Sequence, residues 1–268
     1  MPAASEDLAL ALELADVSDS ITLARYRAAD LVVETKPDLT PVTEADTAVE
    51  RAVRSRLAET HPEDAIVGEE YGASEGGGGG RDGGRRWIID PIDGTKNYVR
   101  GIPVWATLLA LQNGAQATIG VVSAPALGRR WWAAQGAGAF MSDALLPEPR
   151  RIRVSGVRAL EDAQLCISGF DGWGQGAGVD RLLSLARRCW RTRGFGDFWS
   201  YMLVAEGVAE IGCEAIVSLW DLAAPQVIVE QAGGTFTDLG GVRTADGGDA
   251  LATNGLLHEQ ALAIVGRP

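Results

Sequence analysis

The sequence predicts an α/β protein in which helices and strands are interleaved, and three observations carry that expectation. Apolar residues recur at helical spacing near the N-terminus (Leu8, Leu12, Ala15, Ile21), the middle of the chain is rich in short strand-like runs divided by glycine and proline, and the later part alternates between the two patterns. With 268 residues, 46% of them hydrophobic and 22% charged, the chain can bury a large core as one domain or two intimate lobes.

Taken in order, Ser5 to Ala29 reads as a helix, with Ser5 placed to cap its first turn. Glu44 to about Thr60 reads as a second, with Ala48, Val49, Ala52, Val53 and Leu57 on its inner stripe and His61-Pro62 as its stop. Ile66 and Val67 form a short strand or loop feeding Gly68-Glu69-Glu70. The glycine run Gly76 to Gly80 has no Lys-Ser/Thr after it and no GxGxxG, so it reads as a surface loop rather than a phosphate cradle. Strands are expected at Ile88 to Asp90, Trp105 to Leu111, Ala117 to Ser123 and Arg130 to Ala134, with Asn113-Gly114 as a hairpin turn. Gly169 to Gly178 separates a strand at Gln164 to Ser168 from a helix at Val179 to Cys189, and Tyr201 to Val208 and Leu222 to Gln231 continue a second lobe. No internal repeat and no clean linker divides the chain. The expectation is one domain of two subdomains sharing a cleft, about 1–145 and about 146–268.

The balance of 24 basic and 36 acidic residues gives a net charge of −12, which disfavours nucleic acid and acidic membrane surfaces as partners. No apolar run reaches the ~18 residues of a membrane span, and Met1 to Asp7 lacks a basic signal-peptide head, so a cytoplasmic setting is expected. Cys166, Cys189 and Cys213 are odd in number and lack CxxC spacing, which suggests buried small apolar residues rather than a disulfide framework or a zinc site. His61 and His258 are the two histidines, both in polar, loop-like surroundings, and they give a histidine-based triad little material.

The most informative stretch is Asp90-Pro91-Ile92-Asp93-Gly94-Thr95, which follows the apolar run Trp87-Ile88-Ile89. Two carboxylates three residues apart at the end of a buried strand suit a hard metal ion. Pro91 cannot donate to a ladder and biases Asp90 toward extended backbone, so the strand should stop at Asp90. Gly94 and Thr95 then offer free N–H groups near a helix start, where a phosphate is favoured. Asp46 and Asp221 also stand at expected helix starts, where each could equally serve as a cap, and Glu69 follows an apolar pair and Gly68.

These acids lie in motifs that resemble those of inositol-monophosphatase-like phosphatases. Asp90 to Tyr98 resembles the family's DPIDGTxNF, and Trp220-Asp221-Leu222-Ala223-Ala224 with Glu230-Gln231-Ala232-Gly233-Gly234 resembles WDxAA…EAGG. Gly68-Glu69-Glu70 and Thr43-Glu44-Ala45-Asp46 match two further motifs in order, with Tyr98 for Phe and Gln231 for Glu as the departures. The resemblance implies a layered αβαβα sandwich, a homodimer, and Mg²⁺-dependent hydrolysis of a small phosphate monoester with two or three ions per site. It would give one Mg²⁺ to Glu69, Asp90 and the Ile92 carbonyl, and a second to Asp90, Asp93 and Asp221. Asp46 would orient water and help with a looser third ion, Thr95 bonded to Asp46 or Glu69 would align the attacking water, and the N–H groups of Gly94 and Thr95 would hold the phosphate. Lys36 matches a lysine found near the site in relatives, beside the alternative of a solvated surface lysine. Two carboxylates ~4 Å apart repel by ~4 kcal/mol at an effective dielectric of 20, so a convergence of these acids needs cations to persist.

Within the family the chain most resembles histidinol-phosphate phosphatases of the actinobacterial type, through Thr35 to Thr43, Lys96 to Trp105 and Phe195 to Tyr201. That resemblance implies L-histidinol phosphate as substrate, with inositol 1-phosphate or broad sugar-phosphate hydrolysis as the alternative and a non-catalytic metabolite- or metal-binding relative as a second. Asp197, with aromatic faces at Phe198 or Trp199, would suit the substrate's cationic end, where inositol phosphatases carry small residues. Asp197 as a cap or surface ion pair, and the aromatics as core packing, are the competing readings. Glu214, seven residues before Asp221, stands where relatives place a substrate-contacting Glu. Trp131 and Trp132 read as strand packing.

Overall fold

The computed structural model describes residues 6–37, 39–76, 84–174 and 177–267. The expected cap Ser5, Asp38 and most of the Gly76 to Gly80 run lie outside the described residues. The chain opens with helix α1 (Glu6–Arg25), the strand pair β1 (Val33–Thr35) and β2 (Pro41–Thr43), helix α2 (Glu44–Thr60), and strands β3 (Ala65–Gly68), β4 (Gly72–Ser74) and β5 (Arg85–Asp93). Helix α3 (Thr95–Arg100) follows, then β6 (Ala106–Asn113), β7 (Gln116–Ala124), β8 (Arg129–Ala134), β9 (Gly138–Asp143) and β10 (Leu146–Ile152). The second half carries β11 (Gln164–Cys166), α4 (Ala177–Arg188), β12 (Arg191–Arg193), α5 (Asp197–Ala205), β13 (Ile211–Glu214), α6 (Leu219–Gln231), β14 (Thr235–Thr237), β15 (Ala250–Thr253) and α7 (His258–Val265).

Among the described residues the larger sheet has eight strands in the order β10-β9-β8-β7-β6-β5-β3-β4, and the smaller has five in the order β12-β11-β13-β15-β14. Alternation along the large sheet builds two cores, because successive side chains leave opposite faces of a strand. Trp87, Ile89, Leu109 and Val121 face α1 and α2, packing on Leu14, Val49, Val53 and Leu57. Ile88, Leu108, Ala110 and Val122 face the other way, onto Tyr201, Leu222, Ala223 and Val227 of α5 and α6. Beyond those helices Phe236, Ala250 and Ala252 of the smaller sheet join the same core, and that sheet's far face packs on Leu182 and Leu185 of α4 and Ala261 and Val265 of α7. The result is five layers, helix–sheet–helix–sheet–helix, as the resemblance implied.

Helix α6 lies against β7 so closely that a Cβ on Gly120 would stand 2.5 Å from the Ala224 carbonyl oxygen, so glycine is needed there. The division expected near residue 145 falls inside the large sheet, since β10 pairs with β9. Helix limits differ from expectation by a few residues. The first helix ends at Arg25 rather than Ala29, and the segment Leu222 to Gln231 belongs to a helix that begins at Leu219. The reading of His258 as a residue in loop-like surroundings also needs correction. It opens α7, buried at 7% exposure, with its ring nitrogens 3.1 Å from the hydroxyls of Thr237 and Thr253. Burial holds that imidazole below its usual range. Trp131 and Trp132 pack as strand residues, and the cysteines are free, with Cys166 and Cys213 buried. Among the described residues no helix is long and apolar enough to cross a membrane.

Candidate active site

Strand β5 delivers two of the acids. Its ladder with β6 runs on past Asp90, shifts register between Asp90 and Asp93, and pairs Asp93 with Ala106. The strand therefore does not stop at Asp90 as Pro91 suggested: a bulge absorbs the proline, whose carbonyl accepts the Thr107 hydroxyl at 2.8 Å. Gly94 then takes φ +83° and caps α3, and a Cβ on it would lie 2.9 Å from the Val104 carbonyl oxygen. That turn brings the Thr95 hydroxyl within 2.9 Å of the Ile92 carbonyl and 3.4 Å of Asp46 Oδ1.

Asp46 and Asp221 come from the first turns of α2 and α6. The Thr43 N–H and hydroxyl donate to Asp46 Oδ2 at 2.8 and 2.5 Å, and the Ser218 N–H donates to Asp221 Oδ2 at 2.7 Å. The capping reading of both acids is thus correct. A second carboxylate oxygen is left over in each case, and for Asp46 it faces Thr95.

Asp90, Asp93 and Asp221 each offer an oxygen within 4.8 Å of the others. Asp90 is 1% exposed, and its Oδ1 has no hydrogen-bond partner among the described residues. Burial, then the charges of Glu69, Asp93 and Asp221, push the Asp90 carboxyl well above its ordinary range. Burial with Asp197 and Asp221 does the same to Asp93, against the opposing Phe198 N–H at 2.6 Å. Burial raises Asp221 to about 6, with the Ser218 N–H opposing and the charges of Glu69 and Asp197 adding. An orphaned buried oxygen amid three converging carboxylates is the chemistry of a hard divalent cation site, so the residues fit such an ion.

Glu69 stands at the edge of this group. Its N–H bonds the Ile89 carbonyl at 3.2 Å, while Lys36 Nζ reaches Glu69 Oε1 at 2.8 Å and Glu70 Oε1 at 2.7 Å. Lys36 is therefore an ion-pair partner of the site rather than a solvated surface lysine. Burial would weaken its ammonium, but the two glutamates outweigh that and raise it. Burial raises Asp46 to about 6, with the Thr43 bonds opposing and Glu69 adding.

A second acidic pair flanks Asp93. Asp197 has φ +51°, a left-handed conformation that Asp tolerates, and its Oδ2 accepts the Asn97 amide at 3.0 Å. Glu214 accepts the hydroxyls of Ser168 and Tyr201, and the Asp197 N–H donates to the same Ser168 hydroxyl at 2.9 Å. Burial, with Asp197 and Asp221 adding, lifts Glu214 to about 7. The roles of Asn97, Ser168 and Tyr201 escaped the sequence reading because they depend on contacts across up to 100 residues, although Asn97 and Tyr201 lay inside quoted motifs. Phe198 does not offer an aromatic face to a ligand: it is 1% exposed and packs on Trp131 at 6.1 Å, because α5 is sandwiched between the two sheets. Trp199 packs on Phe195 at 5.3 Å.

Residues 4–267 match the model of the inositol monophosphatase family. The histidinol-phosphatase of Streptomyces coelicolor is 50% identical over 266 residues, covering 98% of this chain and 97% of the relative. That of Mycobacterium tuberculosis is 52% identical over 258 residues, covering 96% of each. Among solved structures, a Thermotoga maritima IMPase superposes with a TM-score of 0.84 at 28% identity, covering 97% of both chains.

Proposed function

We propose, because the chain belongs to the inositol monophosphatase family, that it is a metal-dependent phosphomonoesterase that hydrolyses L-histidinol phosphate to L-histidinol and phosphate in histidine biosynthesis. The observation that carries the chemistry is the trio Asp90, Asp93 and Asp221 converging around an unpartnered buried carboxylate oxygen. Glu69, Asp90, Asp93, Asp221 and the Ile92 carbonyl would hold two Mg²⁺ ions, with Asp46 beside a looser third. Bound there, Mg²⁺ would neutralise the acids and polarise both the phosphoryl group and the attacking water.

The protein's own groups then position the reaction. Thr95 has one hydroxyl proton, which it gives to Ile92 or Asp46, so its lone pairs are free to accept from the attacking water. Asp46, whose Oδ1 lies 3.4 Å from that hydroxyl, would orient the water and is placed to take its proton. The N–H groups of Gly94 and Thr95 would hold phosphate oxygens. As the water oxygen bonds to phosphorus, the ester P–O bond breaks in line and the departing alkoxide takes up a proton from solvent water, while the proton held by Asp46 returns to solvent. Asp197 and Glu214 would receive the ammonium and imidazole of the substrate, which a neutral polyol lacks. The proposal extends to a homodimer in the cytoplasm, supported by the family resemblance.

A substrate panel tests it. Purified protein with Mg²⁺ should release phosphate from L-histidinol phosphate much faster than from inositol 1-phosphate, and the reverse ranking would establish the inositol or broad sugar-phosphate alternative. Metal binding with no turnover on any ester would support the non-catalytic reading.

A further inference from the structure

A buried acid outside the site, Glu50 of α2, holds the turn that carries Glu69. Glu50 is 0% exposed, and both its oxygens are used. Oε2 accepts the Glu70 N–H at 2.8 Å, and Oε1 accepts the Tyr71 N–H at 3.2 Å and the Arg54 Nε–H at 2.8 Å. The Arg54 guanidinium, itself tied to the Gly72 carbonyl and the Ser74 hydroxyl, supplies the counter-charge one helical turn on. The space for this carboxylate exists because residue 68 is glycine: a Cβ there would stand 2.0 Å from Glu50 Oε1.

The consequence falls on Glu69. Its own N–H is fixed to Ile89 of β5, and the next two N–H groups are fixed to Glu50, so its backbone is pinned on both sides. The charge of Glu69 is in turn felt by Asp46, Asp90 and Asp221. We propose that Glu50 is a positioning residue that holds Glu69 in place for metal binding, an inference that rests on the reading of Glu69 as a metal ligand. Both Glu50 oxygens are occupied by Arg54 and the Glu70 and Tyr71 N–H groups, so Glu50 acts through the turn and not as a ligand. A buried anion bonded to two successive backbone N–H groups is costly to leave unmatched, and the glycine and arginine around it make sense as its seat.

The test is Glu50→Gln, with Arg54→Met as a second variant that leaves the carboxylate on its N–H groups but removes its counter-charge. Mg²⁺ affinity is measured by calorimetry on the whole protein, beside kcat at saturating metal and Tm. The expected result is at least a ten-fold weaker metal constant for Glu50→Gln and about three-fold for Arg54→Met, with kcat at saturating Mg²⁺ within about two-fold of the parent. Folded variants with a lowered Tm but an unchanged metal constant would overturn the inference and leave Glu50 as a structural residue only. Glu69→Ala serves as the control: if it weakens metal and Glu50→Gln does not, this inference alone fails, whereas a Glu69→Ala protein with unaltered metal binding sinks the ligand reading and this inference with it.

Discussion

Asp46 and Asp221 occupy the same station on two different helices, each accepting the N–H of the residue three positions before it, Thr43 or Ser218, through Oδ2. One oxygen thus fastens each helix start, and the proposed function gives the rest of the carboxylate to the site. The first expectation follows from this division. Asp46→Asn keeps an oxygen to cap with and should lower turnover far more than stability, whereas Asp46→Ala should also lose about 1 kcal/mol from the cap. Thermal unfolding beside steady-state kinetics separates the two.

Removing one of the crowded charges should help the metal-free protein and harm the enzyme. Asp93→Asn keeps an acceptor for the Phe198 N–H but deletes a charge facing Asp197 and Asp221. Turnover should fall by roughly two orders of magnitude or more, and Tm in EDTA should rise by about 2–4 °C. A variant with parental turnover would remove Asp93 from the site.

The raised carboxyls give stability a definite pH slope when metal is absent. Asp46 moves from 3.8 to about 6 and Glu214 from 4.5 to about 7, so the folded state binds more protons than the unfolded state between about pH 4 and pH 7. Stability contributed by these groups must fall as pH climbs through that window. In EDTA, Tm should therefore decline from pH 5 to pH 8, and the rise in Tm on adding Mg²⁺ should be larger at pH 8. A metal-induced shift independent of pH would contradict this.

Substrate choice should follow Asp197. Asparagine tolerates the φ of +51° at that position, so Asp197→Asn tests charge without the strain that alanine would add. The KM for L-histidinol phosphate should rise about 10-fold or more, and turnover of a neutral sugar phosphate should change by less than about three-fold. Equal effects on both would make Asp197 a structural residue.

Much of this was legible in the residues themselves. Glu44 to Thr60 was readable as a helix because its apolar stripe and the His61-Pro62 stop agree. The hairpin expected at Asn113-Gly114 turns one residue later, since Asn113 still pairs with Gln116 and Gly114-Ala115 make the connection, with Gly114 supplying a positive φ. The acids could be named from local motifs, whereas their convergence depends on the sheet order and was reached only through resemblance. Three features stayed hidden because they are tertiary. The bulge after Asp90 depends on pairing with β6, the burial of Phe198 on a second sheet behind α5, and the burial of His258 on the hydroxyls of Thr237 and Thr253.

The central claim is that separated carboxylates form one pocket for divalent cations, and Mn²⁺ soaked into crystals tests it most directly by anomalous scattering. Strong peaks are expected within bonding distance of Asp90, Asp93 and Asp221. Ordered carboxylates with no peak among them at saturating Mn²⁺ would contradict it.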